Sequence, residues 1–193
     1  MKAKILSEAR RVFGRYGYHG ATTRIIARAV GIDVSTLYYH WGEKSDLYEA
    51  VIADVTEDLR QQLRTVEKAI HGRPLRQRMA KAIELMTDYL FEHPEIPNLI
   101  LFRYFSQTRL EMELDARVPE LFVDIARSMG LADAHGVVSV STKMRVLAMA
   151  MANCNFVSGE DFFRSMLDLN REEYIPLVKE TLKFVLIPAF AGQ

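Results

Sequence analysis

Between Thr22 and Lys44 lies a run of side chains suited to gripping a phosphodiester rather than to breaking bonds. Thr22, Thr23 and Thr36 place short hydroxyls near the starts of two short helices, where free backbone N–H groups also favour phosphate. Arg24, on the first turn of the earlier helix, can reach either a phosphate or a guanine edge. Val34, Ser35, Tyr39 and His40 fall on or beside the exposed surface of the later helix, and Tyr38 and Tyr39 divide between phosphate and base contact. The alternative for Tyr38 is a packed ring with only its hydroxyl exposed. Lys44 follows as a point charge for a phosphate. Leu37 and Trp41 read as core, and Tyr18 and Tyr48 as core or rim.

Bond-breaking chemistry has no comparable foothold. The chain carries no phosphate-cradling glycine loop, nucleophile elbow, His-x-x-x-His or Cys-x-x-Cys pair. Its five histidines, at 19, 40, 71, 93 and 135, are scattered, so neither a metal, a cofactor nor an enzymatic activity is expected. The single cysteine, Cys154, excludes an intrachain disulfide, and its neighbours Asn153, Asn155, Phe156 and Val157 supply no cation to activate it.

Helical periodicity dominates the elements that must position these groups, so the fold class expected is all-α with about nine helices. The first helix covers about 2–16 and ends at Tyr16-Gly17-Tyr18-His19-Gly20. Thr22 caps a second, which Gly31 stops near Val30; Asp33 caps a third through about Trp41; Ser45 caps a long fourth reaching about Val66. Beyond these, Pro74 opens a fifth that His93-Pro94 closes, Pro97 a sixth to about Ser106, and Pro119 a seventh stopped at Gly130. An eighth is expected over about 141–157 and a last over about 172–187, ended by Pro188. The glycine at 31 permits the tight turn of a helix-turn-helix, with Ile26, Ala27, Ile32 and Leu37 as its small core. That geometry lets the second helix of the pair enter a major groove about 12 Å wide.

Charge is distributed in the same sense. Residues 1–48 hold eight Lys/Arg and four Asp/Glu, a balance of +4, while 49–193 hold seventeen and twenty-one, a balance of −4. A basic end on an acidic body is the footprint expected where one end meets phosphate, although a bias this small also arises by chance. No run of about 18 apolar residues offers a membrane span, and charges interrupt the N-terminal segment, so a cytoplasmic protein is expected.

The stretch Ile5–Ile52 strongly resembles the DNA-binding domain of the TetR family. The resemblance is carried by Phe13…Gly17-Tyr18, Thr22-Thr23-Arg24-Ile25-Ile26-Ala27, Gly31-Ile32-Asp33, Thr36-Leu37-Tyr38-Tyr39-His40-Trp41 and Lys44-Ser45-Asp46-Leu47. Trp41 stands where that family usually has Phe, and Asp33 where it has a Ser cap, which puts a carboxylate near phosphate. The resemblance implies a DNA-binding domain over 1–45 and a helical effector-binding and dimerisation domain over 46–193. It implies a repressor that binds a near-palindromic operator as a homodimer and is released by a small, largely apolar ligand.

Under that reading the helices over 141–157 and 172–187 form the dimer bundle, with Met144, Leu147, Met151, Leu177, Leu182 and Val185 in the interface. The same stripes also fit packing within one chain. Met86, Tyr89, Phe102, Phe105, Phe122, Met149 and Asn153 are candidates to line the effector cavity, with Arg103 to orient an acidic group. A ligand pressed against the far half of the fourth helix, near Leu59 or Leu63, would move the reading head. The competing function is a helical protein-binding adaptor or ligand-binding protein without DNA binding. It has no need of hydroxyls, tyrosines and Lys in the order found from Thr22 to Lys44.

Overall fold

A computed structural model describes residues 1–105 and 117–191. Among the described residues there is no strand, and the chain forms ten helices. In order they are α1 (Lys2–Gly20), α2 (Thr23–Val30), α3 (Val34–Trp41), α4 (Lys44–Ile70), α5 (Leu75–Glu92), α6 (Glu95–Phe105), α7 (Arg117–Ser128), α8 (Val140–Ser158), α9 (Glu160–Leu167) and α10 (Arg171–Ala191). No helix among them is long and apolar enough to cross a membrane.

Local chemistry explains most boundaries. Regular α1 geometry breaks at Gly17, whose φ of 67° lies in the left-handed region that favours glycine. Thr22 Oγ1 accepts a hydrogen bond from the Ile25 N–H at 3.2 Å and so caps α2. Gly31, at φ 79°, ends α2 in a Schellman-type closure, with the Ile32 N–H returning to the Ala27 carbonyl at 3.0 Å.

Other boundaries differ from expectation. Asp33 holds the extended N-cap backbone of α3, but its exposed side chain makes no cap hydrogen bond. The start of α4 is capped by Asp46 rather than Ser45: Asp46 Oδ2 accepts the Glu43 N–H at 2.8 Å, one half of a capping box. The fourth helix runs on to Ile70, α6 starts at Glu95 with Pro97 inside it, and the expected end near Ser106 lies outside the described residues. The seventh helix starts at Arg117, two residues ahead of Pro119. Ser139 caps α8 by accepting the Thr142 N–H at 3.1 Å. The short α9 was not foreseen. Pro188 does not end α10, which continues to Ala191; Pro176 lies in its second turn. Each proline removes one backbone donor but fixes a φ that a helix accepts.

The chain divides into two compact units. The first is Met1–Leu59 with the described residues of His93–Glu113; the second is Arg60–Glu92 with those of Leu114–Gln193. This division gives the first unit part of α4 and all of α6 in addition to α1–α3.

In the first unit, Ile5, Ala9, Val12 and Phe13 of α1 are buried with Ile26, Ala27, Val30, Leu37, Leu47, Tyr48 and Val51. Phe13 meets the edge of Tyr48 with ring centroids 5.0 Å apart. In the second unit, α10 packs on α5 and α8 through Tyr174, Val178 and Leu182. The Tyr174 hydroxyl donates to the Phe156 carbonyl at 2.9 Å, and burial, with the Glu160 charge nearby, pushes its pKa up to about 12. Cys154 is buried, and that burial pushes its thiol up to about 12, so the thiolate needed for redox or nucleophilic chemistry is not formed near neutral pH.

Candidate nucleic-acid interface

With only eight residues each, α2 and α3 are too short to be stable alone, so their outward side chains are fixed by what lies beneath them. Ile26, Ala27 and Val30 anchor α2, and Leu37 is the buried anchor of α3. The α3 sequence is apolar overall yet turns its aromatic residues outward: Tyr39 is 86% and Tyr38 42% exposed. Ser35 is exposed, Val34, Thr36 and His40 are half-buried, and the His40 ring stands edge-on to Tyr39 at 5.2 Å. A helix that exposes two tyrosines and a hydroxyl presents both hydrogen-bonding groups and apolar faces, the mixture that base edges and phosphates accept.

On α2, Thr22 and Arg24 are exposed and Thr23 is half-buried. Arg28, in the last turn, is also exposed and was not foreseen as a site residue. Its spacing of four from Arg24, which puts both guanidinium groups on one helical face, was the available signal. The ten site residues foreseen from Thr22 to Lys44 all lie in the first unit.

Lys44 is placed differently from a free phosphate clamp. Its Nζ donates to the Tyr18 carbonyl at 3.0 Å and the Ala21 carbonyl at 3.2 Å, and lies 4.2 Å from the Tyr18 ring centroid. Two of its three donors are therefore committed to the turn between α1 and α2, with a cation–π contact added. Tyr18 in turn meets Tyr48 at 4.9 Å, and burial raises the pKa of Tyr48 despite the opposing charge of Arg103. The other end of α1 holds the far ends of α2 and α3. Lys4 Nζ donates to the Val30 carbonyl at the C-terminus of α2 at 2.8 Å, and Lys2 Nζ lies 5.4 Å above the Trp41 ring at the end of α3. Trp41 is half-buried, and its indole N–H is buried without a hydrogen-bond partner.

The foreseen ligand residues divide between the two units. Phe102, Arg103 and Phe105 belong to α6 in the first unit, whereas Met86, Tyr89, Phe122, Met149 and Asn153 belong to the second. The Phe102 ring lies 3.3 Å from where a Cβ on Gly17 would stand, so it packs on α1; Phe105 is 78% exposed. Asn153 is buried and its side-chain oxygen accepts from the Thr87 hydroxyl at 3.3 Å, a polar pair inside the core. Met86, Tyr89 and Met149 are half-buried. Phe122 joins Met144 and Leu147 in an open groove of about 720 Å³ between α7 and α8, with Arg127 and Lys143 also in its walls.

Of the foreseen interface residues, Leu177 and Val185 on α10 and Met144 on α8 are exposed, and Leu147 and Met151 are half-buried. Leu182 is a correction: it is 2% exposed and fills the core of its own unit, on the side of α10 turned away from the exposed Leu177 and Phe184.

Comparison with known proteins agrees with this arrangement. Residues 5–51 match the profile of the bacterial regulatory proteins of the tetR family. IcaR of Staphylococcus aureus, a negative transcriptional regulator of the biofilm operon icaADBC, is 43% identical over 49 residues, 25% of this chain and 26% of IcaR. The HTH-type transcriptional activator FasR of Mycolicibacterium smegmatis is 30% identical over 144 residues, 69% of this chain and 62% of FasR. Both matches therefore span less than two thirds of the relative's own length. The fold of the whole chain resembles that of FadR from Bacillus subtilis, solved with stearoyl-CoA, at a TM-score of 0.65 and 15% identity, covering 97% of this chain and 98% of that one. Residues 5–51 thus carry the tetR-family match, and the described helices share the fold of solved regulators.

The Lys44 geometry has a direct consequence. Lys44→Ala removes two charge-assisted hydrogen bonds to backbone carbonyls, and is expected to destabilise the first unit by about 1–3 kcal/mol without any DNA present. Urea unfolding followed by Trp41 emission measures this; an unchanged midpoint would show that the pin contributes nothing to stability.

Proposed function

We propose that this chain is a sequence-specific DNA-binding transcriptional regulator, a repressor that binds a near-palindromic operator as a homodimer. The observation that carries the reading is the outward set Arg24, Arg28, Ser35, Tyr38 and Tyr39 on two short helices joined at a left-handed glycine. A protein-binding adaptor would have no use for two guanidinium groups beside that pair of tyrosines. Functionally, residues 1–45 act as the DNA-binding domain and 46–193 as the effector-binding and dimerisation domain, in a cytoplasmic protein. Thr22, Thr23 and Thr36 meet phosphate, and Val34 and His40 flank the base contacts.

Dimerisation is supported by the face of α10 that carries Leu177, Phe184 and Val185, at 42%, 79% and 58% exposure, and by Met144 of α8 at 63%. Residues spaced by seven and eight lie on one side of a helix, and a second copy related by a two-fold axis would cover them. Two heads joined in this way address half-sites about 34–36 Å apart. The effector is a small, largely apolar molecule bound beside Met86, Tyr89 and Met149, and it weakens operator binding; FadR's stearoyl-CoA is a parallel for its chemistry. To act, it must bind the non-binding arrangement more tightly by a few kcal/mol.

Titrating the protein against labelled duplexes from upstream of its own gene should give affinity that falls linearly with the logarithm of salt concentration. Arg28→Ala should weaken all sequences alike and reduce the salt slope by about 1 per subunit, whereas Tyr39→Ala should change the ranking of sequences. A folded protein with no salt-dependent affinity for any such fragment contradicts the reading.

Phe184→Glu and Leu182→Glu separate interface from core. A charge at the exposed Phe184 is expected to give folded monomers, since an unpaired charge buried in an interface costs several kcal/mol. At Leu182 the same charge is expected to unfold the second unit. Sedimentation with circular dichroism distinguishes them, and a Phe184→Glu protein that stays dimeric would place the interface elsewhere.

A further inference from the structure

Three carboxylates from two helices converge on one guanidinium in the first unit. Arg10 of α1 donates through Nε to Glu95 Oε1 of α6 at 3.0 Å, and through one terminal nitrogen to Asp54 Oδ2 at 2.9 Å and to Asp58, both on α4. The Arg10 side chain is only 12% exposed. Burial opposes its charge, but the hydrogen bonds to Asp58 and Asp54 and the charges of Glu95 and Asp58 outweigh burial and raise its pKa. His93 adds a ring nitrogen 3.8 Å from the same Glu95 oxygen.

Two glycines continue this face along α1. A Cβ on Gly14 would stand 2.5 Å from the Glu95 Cβ, and one on Gly17 would stand 3.3 Å from the Phe102 ring. Arg10, Gly14 and Gly17 follow the i, i+4, i+7 spacing of a single helical face, so α6 lies against bare α1 backbone and Arg10 fixes the register. The N-terminal turns of the same helix hold the end of α2 through Lys4 and the end of α3 through Lys2 and Trp41. One helix is thus clamped to α4 and α6 at its middle and grips both reading helices at its start.

We propose that Arg10 is a positioning residue for DNA recognition, which sets the pose of α2 and α3 by holding α1 in register against both α4 and α6. This rests on the reading of α2 and α3 as the DNA-contacting pair. The guanidinium presents Nε to α6 and a terminal nitrogen to α4 within one rigid plane, a spacing of donors that a single rotating ammonium nitrogen does not impose. Asp54 and Asp58 hold α1 to α4 whether or not Glu95 is engaged, so the α6 link can be cut while the helix stays docked.

The test uses the full chain, a duplex selected by the wild-type protein from a random-sequence pool, and Trp41, the single tryptophan, as reporter at the end of α3. Glu95→Gln is expected to bind that duplex about tenfold more weakly, the equivalent of one charge-assisted hydrogen bond, with an unchanged salt slope because Glu95 meets no phosphate. Trp41 emission should shift in the free protein while the melting temperature stays within a few degrees. Arg10→Lys, which keeps the charge but not the fork, should show the same losses; if it does not fold, Asp54→Asn replaces it. Wild-type affinity and emission in Glu95→Gln overturn the proposal. So does an affinity that falls only in step with lost stability, with Trp41 unchanged. If the wild-type protein selects no duplex at all, the DNA-binding reading fails instead, and the Trp41 shift still decides whether Arg10 sets the pose of α3.

Discussion

The first unit depends on the burial of one stripe of α1. Helices of eight residues cannot form by their own hydrogen bonds, because nucleation costs more than so few bonds return. Ile5, Ala9, Val12 and Phe13 supply the apolar surface against which α2 and α3 become stable. Once that surface is filled, few positions remain to bury the rest of α3, and Tyr38 and Tyr39 are left outside. The exposed aromatics are therefore a consequence of how little core this unit has. The proposed DNA contact rests on that consequence.

Electrostatics refines what packing establishes. Each cation on the inner side of α1 and at the start of α4 has a named structural partner: Lys2 the Trp41 ring, Lys4 the Val30 carbonyl, Lys44 the carbonyls of Tyr18 and Ala21, and Arg10 its three carboxylates. The basic balance of residues 1–48 is thus not all available to phosphate. What reaches outward is a smaller set, Arg24 and Arg28 chief among it on α2. A count of charges along the chain overstates the DNA-facing charge for this reason.

The sequence made legible whatever is decided within a few residues. The break at Gly17, the Thr22 cap and the left-handed Gly31 follow from backbone freedom and short-range hydrogen bonds, and the all-α class from periodicity. Contacts between distant positions were not legible. Nothing in the surroundings of Lys44 says that carbonyls 26 and 23 residues earlier will take its donors, and Arg10 gives no sign of partners on α4 and α6. On α10 the apolar residues run nearly all round the helix, so period alone could not separate the buried Leu182 from the exposed Phe184. The short α9 buries no residue and lacks a side-chain cap, which removes both signals by which a helix is recognised.

Packing of α1 beneath them is what keeps α2 and α3 folded. Native-state amide hydrogen exchange on the full chain tests it most directly, with Phe13→Ala beside the wild type. Phe13 is fully buried, and its truncation should cost about 3–5 kcal/mol. Amides of α1, α2 and α3 should open at one common free energy in the wild type. In Phe13→Ala they should lose protection together, while α8 and α10 keep theirs. Amides of α2 and α3 that stay protected in Phe13→Ala, or that open independently of α1 in the wild type, would contradict it.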